Sequence, residues 1–160
     1  MKHIHMDTPC RLYLDLEYSK SFNFYTENEN MKILNEVFQL IIGLVKDFLD
    51  EEISEKSFLI LDSSTSEKFS KHVIVHSKKL FPNNTCLKDF IENLCSKMKH
   101  ENVGIVMSGP LEEDFIVDRS VYSKNRCFRL YKSSKYSKKQ TLEFDRTCLF
   151  YEGMKAFLNF

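Results

Sequence analysis

The sequence carries no excess of either charge. Its 23 Lys and Arg residues balance its 23 Asp and Glu residues, so the formal net charge is zero. Binding of a polyanion through overall charge is therefore excluded, and any contact with nucleic acid has to come from a local basic patch. Tryptophan is absent too, but 14 Phe and 7 Tyr supply large side chains for a core, which is typical of a globular chain.

Cysteine motifs for zinc and stretches that could span a membrane are also lacking. The five cysteines include no Cys-x-x-Cys pair and no Cys/His cluster at zinc spacing, so we interpret them as reduced thiols. The longest mainly apolar stretch, Phe38 to Val45, is shorter than the roughly 20 residues that a membrane helix needs. The N-terminus has no apolar signal region. We therefore expect a soluble, intracellular protein with no membrane partner.

Hydrophobic periodicity divides the chain into strands, with a period of two, and helices, with a period near 3.6. The predicted elements are, in order, strand Arg11–Glu17, helix Met31–Leu49 after Asn30 as its cap, strands Phe58–Leu61 and Lys68–His76, helix Thr85–Lys99, a short apolar piece Val103–Met107, strands Phe115–Val117, Cys127–Lys132 and Gln140–Phe144, and a short helix within Leu149–Phe160. A chain of 160 residues is interpreted as a single module, residues 1–160. The order β-α-β-β-α-β predicts an α+β fold of the split βαβ type, which RNA-recognition modules also use, with extra C-terminal strands.

The first predicted strand carries two carboxylates on one face. Leucines at alternate positions face the core, so Asp15 and Glu17 line the opposite side. Their Cα atoms lie roughly 7 Å apart in a strand, which lets both carboxylates converge on one or two divalent cations. Taken alone, an Asp-x-Glu pair is more typical of a solvated acidic face.

A later strand and a later carboxylate extend this pattern. Lys68, Ser70 and His72 share one face of their predicted strand, although a single His on a strand is usually structural. Asp118 ends another predicted strand, and a basic segment follows it over residues 119–139. Carboxylates that hold divalent cations, with Arg and Lys for a triphosphate, fit metal-assisted phosphoryl transfer. A solvated basic loop is the alternative interpretation of the last segment.

Three strings of residues resemble the motifs of a known family. They are Cys10–Glu17, Leu61–His72 and Val117–Lys135. In this order they resemble the Asp-x-Glu, Ser-x-His and hydrophobic-Asp motifs of the eukaryotic primase-polymerase family, within the archaeo-eukaryotic primase superfamily. Each motif is weak alone, but the accompanying strings LDSST and FRLYKSSK make the set specific. The resemblance covers Cys10 to Phe144.

The resemblance implies a DNA-directed primase/polymerase, which joins nucleotides on a DNA template and serves fork repriming and DNA damage tolerance in the nucleus and the mitochondrion. It implies Mn²⁺ or Mg²⁺ as the cofactor and DNA template, primer, deoxynucleoside and nucleoside triphosphates as partners, together with single-strand DNA-binding proteins through segments outside this chain. The implied catalytic and metal-binding residues are Asp15, Glu17 and Asp118. The implied nucleotide-binding residues are Lys68, Ser70, His72, Arg126, Arg129 and Lys135.

The chain departs from the family pattern in two respects. Cys127 stands where the family usually has Asn, and a thiol is a poor hydrogen-bond donor to a nucleotide. No counterpart of the family's N-terminal module or of its zinc-binding segment is expected, so we interpret the chain as the catalytic half and expect weak activity from it alone. Two other hypotheses remain: a catalytically impaired primase-like module that binds nucleotide or nucleic acid, and a different metal-dependent phosphoryl transferase or nuclease.

Overall fold

A computed structural model describes residues 2–3, 8–122, 127–128, 131–132, 141–145 and 148–150. The helices are α1, Glu27–Leu49, and α2, Asn84–Glu101. The strands are β1, Lys2–His3; β2, Tyr13–Ser19; β3, Phe58–Asp62; β4, Lys68–Val75; β5, Ile105–Met107; β6, Glu113–Phe115; β7, Cys127–Phe128; and β8, Glu143–Phe144. Short 3₁₀ turns cover Glu55–Ser57 and Arg119–Tyr122. The fold is α+β with antiparallel sheets, as the sequence predicts.

The main sheet has the strand order β2-β4-β3-β8, and every neighbouring pair is antiparallel. Strand β4 therefore lies between β2 and β3, the two strands that α1 connects. In the register of β2 and β4, Asp15 pairs with His72 and Glu17 pairs with Ser70. Directly paired residues of an antiparallel ladder point to the same face. The register thus brings the acidic face of β2 beside the Ser-x-His face of β4.

The core lies on the other face of β2. Leu12, Leu14 and Leu16 are at most 1% exposed and pack with helix residues that include Val37 and Leu87. This pattern confirms the predicted two-residue alternation, because burying the leucines leaves the intervening carboxylates on the open face. Burial of apolar side chains from both helices is what fixes β2, and hence its carboxylates, in the sheet.

Helix α1 begins earlier than predicted. The expected start was Met31 with Asn30 as the cap, whereas the helix begins at Glu27 and Thr26 is the N-cap. Thr26 Oγ1 accepts from the Glu29 N–H at 3.3 Å, and Glu29 Oε2 accepts from the Thr26 N–H at 2.7 Å, which completes a capping box. Asn30 instead accepts a hydrogen bond from the Tyr18 hydroxyl. The Thr-x-x-Glu spacing was the signal in the sequence that gives the correct start.

Replacement of Thr26 by Ala should lower the free energy of unfolding by about 1 kcal/mol, because the Glu29 N–H loses its acceptor at the helix end. Urea denaturation followed by circular dichroism measures the change. Thr85→Ala is the matched control: Thr85 is exposed in the first turn of α2, and its replacement should change stability by less than about 0.5 kcal/mol. Equal losses in the two variants would contradict a capping role for Thr26.

The other predicted helices and strands differ from the structure mainly at their ends. Helix α2 begins one residue early, after Asn83, whose side chain accepts from the Cys86 N–H. The predicted strand Phe115–Val117 is divided: Phe115 belongs to the β5–β6 hairpin, and Val117 makes a bridge to Leu16 of β2. Ile116 lies between the two partners: its N–H donates to the Gly104 carbonyl beside the hairpin, and its carbonyl accepts from the Glu17 N–H of β2.

The C-terminal predictions are met only in part. Of the predicted strand Cys127–Lys132, Cys127–Phe128 forms β7 and pairs with β1, which the sequence analysis did not predict. Lys132 lies in a turn with φ of 60°, a backbone conformation that cannot continue a strand. Glu143–Phe144 confirms the end of the next predicted strand, whereas Gln140 and residues 151–160 lie outside the described residues.

Two further findings concern the thiols and the helices of the described residues. Cys86, Cys95 and Cys148 are free cysteines, as interpreted from their spacing. No helix in the described part of the chain is long and apolar enough to cross a membrane.

Candidate metal and nucleotide site

The structure brings three carboxylates together on the open face of the sheet. Asp15 and Glu17 come from β2, and Asp118 comes from the segment that follows the Val117 bridge. Two backbone hydrogen bonds of 2.8 Å fix this segment on β2: the Glu17 N–H donates to the Ile116 carbonyl, and the Asp118 N–H donates to the Asp15 carbonyl. One carboxylate oxygen of each residue lies within 4.8 Å of the others. We call these three residues the acidic triad.

Each carboxylate of the triad has a neighbouring positive charge or hydrogen-bond donor. Glu17 forms an ion pair with Lys68 Nζ. Asp15 Oδ1 lies 3.4 Å from His72 Nε2, and Asp118 Oδ1 accepts from the Ser120 N–H at 2.8 Å. Three like charges at this separation repel one another unless cations lie between or beside them. The triad therefore fits a hard divalent cation such as Mn²⁺ or Mg²⁺, which prefers oxygen ligands.

The Ser-x-His strand lies beside the triad, as the register requires. His72 and Ser70 are 3% and 5% exposed, whereas the Lys68 side chain keeps 40% of its surface in water. The Ser63 hydroxyl donates to Ser70 Oγ at 3.1 Å, and Ser64 Oγ accepts from the Ser70 N–H at 3.0 Å. These two contacts were not predicted. Their signal was the serine-rich turn after β3, because short hydroxyl side chains commonly bond to nearby backbone.

Two open clefts meet at Glu17. One, of about 430 Å³, has Asp118 and Arg119 on one wall and the β5–β6 hairpin on the other. The second, of about 540 Å³, is lined by residues that include Glu17, Glu67 and Lys68. Both volumes lie in the range of small-molecule sites.

Two residues that line the first cleft, Arg119 and Asp114, form an ion pair. Arg119 lies 3.5 Å from Asp114 Oδ1, and its guanidinium stands 5.3 Å from the centre of the Phe115 ring. In the sequence, Arg119 is only one residue of the basic segment, and no role is predicted for Asp114. No spacing in the sequence joins these residues, because the hairpin is what brings Asp114 to Arg119.

The remaining predicted nucleotide contacts cannot be placed. Arg126, Arg129 and Lys135 lie outside the described residues, and so does the side chain of Cys127. Their roles stay predictions.

Known proteins resemble the chain over most of its length. No family model matches it. It is 30% identical over 161 residues to the DNA-directed primase/polymerase protein of Danio rerio, covering 81% of this chain and 30% of the relative. The corresponding values are 29% over 181 residues for the protein of the same name in Mus musculus, with 84% and 33% covered, and 25% over 199 residues for that of Homo sapiens, with 84% and 35% covered. The chain thus spans about a third of the length of the curated relatives it matches. This similarity extends over about four fifths of the chain and supports a relationship to the DNA-directed primase/polymerase proteins.

Proposed function

We propose that the chain carries the nucleotidyl-transfer site of a DNA-directed primase/polymerase, which joins nucleotides on a DNA template with release of pyrophosphate. The acidic triad is the observation that carries this proposal. Mn²⁺ or Mg²⁺ held by Asp15, Glu17 and Asp118, in a two-metal arrangement, would lower the pKa of an attacking hydroxyl and stabilise charge on the leaving pyrophosphate.

The neighbouring cations and donors have separate roles in this proposal. Lys68, which pairs with Glu17 and is partly exposed at the second cleft, is suited to donate to the phosphates of a nucleotide. Ser70 and His72 are assigned to the nucleotide rather than the metal, because the triad already supplies oxygen ligands. Arg126, Arg129 and Lys135 are proposed to contact its sugar and phosphates.

The fold supports the same assignment. We propose that the main sheet is the split βαβ arrangement of the primase superfamily. Its support is the position of β4 between β2 and β3, and the bridge that places Val117 on the outer edge of β2. With this topology, metal ligands from distant parts of the sequence come together on one face of the sheet.

The biological role follows as part of the proposal. A family member of this kind would reprime stalled replication forks and support DNA damage tolerance in the nucleus and the mitochondrion. Its partners would be DNA template and primer, deoxynucleoside and nucleoside triphosphates, and single-strand DNA-binding proteins.

Incubation of the protein with a 5′-labelled primer on a DNA template, deoxynucleoside triphosphates and Mn²⁺ should extend the primer weakly, in line with the weak activity expected of the chain alone. Nucleotide binding is measured in parallel by calorimetry with and without Mn²⁺. Asp118→Asn should abolish both activities, because it removes a proposed metal ligand. Asp114→Asn should preserve them, because Asp114 lies in the same cleft but outside the triad.

The outcomes separate the competing functions. Extension that depends on Asp118 supports a polymerase. Binding that needs Mn²⁺ and Asp118, without extension, supports the catalytically impaired binding module, and a shortened primer supports a nuclease. A parent protein that binds nucleotide equally well with and without Mn²⁺ would contradict the proposed site.

A further inference from the structure

Two carbonyls on the outer edge of β2 have different donors: one accepts from a backbone N–H and the other from a side-chain hydroxyl. Here the Asp118 N–H donates to the Asp15 carbonyl at 2.8 Å. A regular antiparallel ladder would continue with a bond from the Ser120 N–H to the Tyr13 carbonyl, two residues further along each strand. The chain instead turns into the 3₁₀ segment Arg119–Tyr122, and the Tyr122 hydroxyl donates to the Tyr13 carbonyl at 2.8 Å.

At the Tyr13 carbonyl, the Tyr122 hydroxyl donates in place of the Ser120 N–H, and this exchange affects the acidic triad directly. The Ser120 N–H, which would continue the ladder, donates to Asp118 Oδ1 at 2.8 Å. That bond fixes one oxygen of a carboxylate that belongs to the triad. The turn can orient Asp118 in this way because Tyr122 satisfies the strand edge in place of Ser120.

Tyr122 is itself held from two sides. It is 4% exposed and stacks on Tyr13 with ring centres 5.3 Å apart. Asn84, the first residue of α2, accepts from the Tyr13 hydroxyl at 3.1 Å and donates from Nδ2 to the Tyr122 carbonyl at 3.3 Å. Burial raises the pKa of Tyr122 well above its ordinary value, so the hydroxyl remains a donor at neutral and mildly alkaline pH.

We propose that Tyr122 is a positioning residue of the acidic triad: its hydroxyl completes the edge of β2 and thereby holds the turn that aims Asp118 at Asp15 and Glu17. This inference rests on the proposed function, because it assumes that the triad binds a divalent cation. Loss of a partner that orients a metal ligand typically lowers metal affinity by about 10- to 100-fold. Tyr122→Phe retains the ring and its stacking, and it removes only the hydroxyl.

Titration with Mn²⁺, followed by the electron paramagnetic resonance signal of the free ion, tests the inference without an activity assay. Tyr122→Phe should raise the Kd for Mn²⁺ about tenfold. Tyr18→Phe is the matched control, because Tyr18 is a buried tyrosine of β2 whose hydroxyl donates to Asn30 and not to the strand edge. The control should lose stability in urea but keep its Kd for Mn²⁺ within about twofold.

The variants distinguish failure of the inference from failure of the proposed site. If the parent does not bind Mn²⁺, or if Asp118→Asn binds it equally well, the proposed site itself is wrong. If Asp118→Asn loses binding while Tyr122→Phe matches Tyr18→Phe, the positioning role is overturned and the proposed site stands. Should Tyr122→Phe lose its near-ultraviolet circular dichroism, Asn84→Ala decides instead: a Kd raised at least about threefold supports the inference, and an unchanged Kd overturns it.

Discussion

Replacement of Asp15 by Asn together with Glu17 by Gln is expected to weaken binding of Mn²⁺, and of a deoxynucleoside triphosphate in its presence, by at least about a hundredfold. The pair supplies two of the three carboxylates of the triad. Both amides keep the shape of the side chains but remove the negative charges that attract a hard cation. The fold should persist, because the leucines on the other face of β2 carry the burial.

The free energy of unfolding should change little in this double variant. Repulsion within the triad is relieved, while Lys68 loses its ion pair with Glu17, and a pair with this exposure contributes less than about 1 kcal/mol. Calorimetric titration with Mn²⁺ and then with nucleotide measures the two affinities, and urea denaturation measures the stability. Asp114→Asn is the control, because it neutralises one carboxylate of the same cleft that lies outside the triad. A double variant that binds Mn²⁺ and nucleotide as the parent does would place the metal site elsewhere.

Removal of the Lys71 charge should give the largest loss of stability, about 3 kcal/mol. Lys71 Nζ donates to Asp62 Oδ2 and to Asp145 Oδ2, each at 2.8 Å, and ties β3 and β4 to the segment after β8. The Lys71 and Asp145 side chains are only 12% and 11% exposed. Lys71→Met would leave two carboxylates close together without their shared cation. This value is the lower end of the stability loss expected when a buried ion pair is broken, because the Asp62 side chain keeps 38% of its surface in water.

The contribution of the Lys71 ion pairs to the free energy of unfolding should depend on pH in a defined way. Although burial opposes ionisation of Asp62, hydrogen bonds from Lys71 and from the Ser64 N–H lower its pKa, so its contribution is present above the unfolded value near 4 and is lost as the pH falls through the folded value. Although burial also opposes the charge of Lys71, its bonds to Asp145 and Asp62 raise its pKa. That contribution is present below about pH 10 and is lost as the pH rises further. The stability difference between parent and Lys71→Met should therefore be flat from about pH 5 to 9 and should narrow in acid.

Urea denaturation at a series of pH values measures this difference. A triple variant, Lys71→Met with Asp62→Asn and Asp145→Asn, should recover much of the lost stability, because no buried charge then lacks a partner. Lys46→Met provides the exposed control: Lys46 pairs with Glu52 where both side chains are largely in water, so its loss should reduce stability far less than Lys71→Met does. Equal losses for Lys71→Met and Lys46→Met at pH 7 would show that the buried cluster contributes no more than a surface pair.

The sequence was sufficient for the acidic strand but not for the whole site. The leucine alternation places Asp15 and Glu17 on one open face, because a two-residue period is a local property of the chain. The approach of Asp118 depends on the bridge between Leu16 and Val117, which joins distant segments and has no local signal. The end of the predicted strand Phe115–Val117 indicates Asp118 as a candidate, and the resemblance to family motifs assigns it to the metal site.

Two other features were not predicted correctly from the sequence, each for a different physical reason. Lys71 lies between Ser70 and His72, so alternation turns it toward the opposite face, where a lysine is unexpected. Asp62 of β3 and Asp145 after β8 together compensate that charge, and no local spacing in the sequence joins Asp145 to Lys71. The start of α1 differs in kind, because Thr26 and Glu29 form a local capping signal in the sequence, whereas the prediction rested on Asn30 alone.

The bond between the Tyr122 hydroxyl and the Tyr13 carbonyl joins positions 109 residues apart, and the Asp118 contact to β2 closes nearly the same loop. Closing so long a loop costs chain entropy before any contact compensates for it, so we expect these contacts to form late in folding. We then expect the acidic triad to be absent from the folding transition state. A cation bound there acts on the completed protein by slowing its unfolding, and a nascent chain acquires affinity for metal only after Asp118 has emerged from the ribosome.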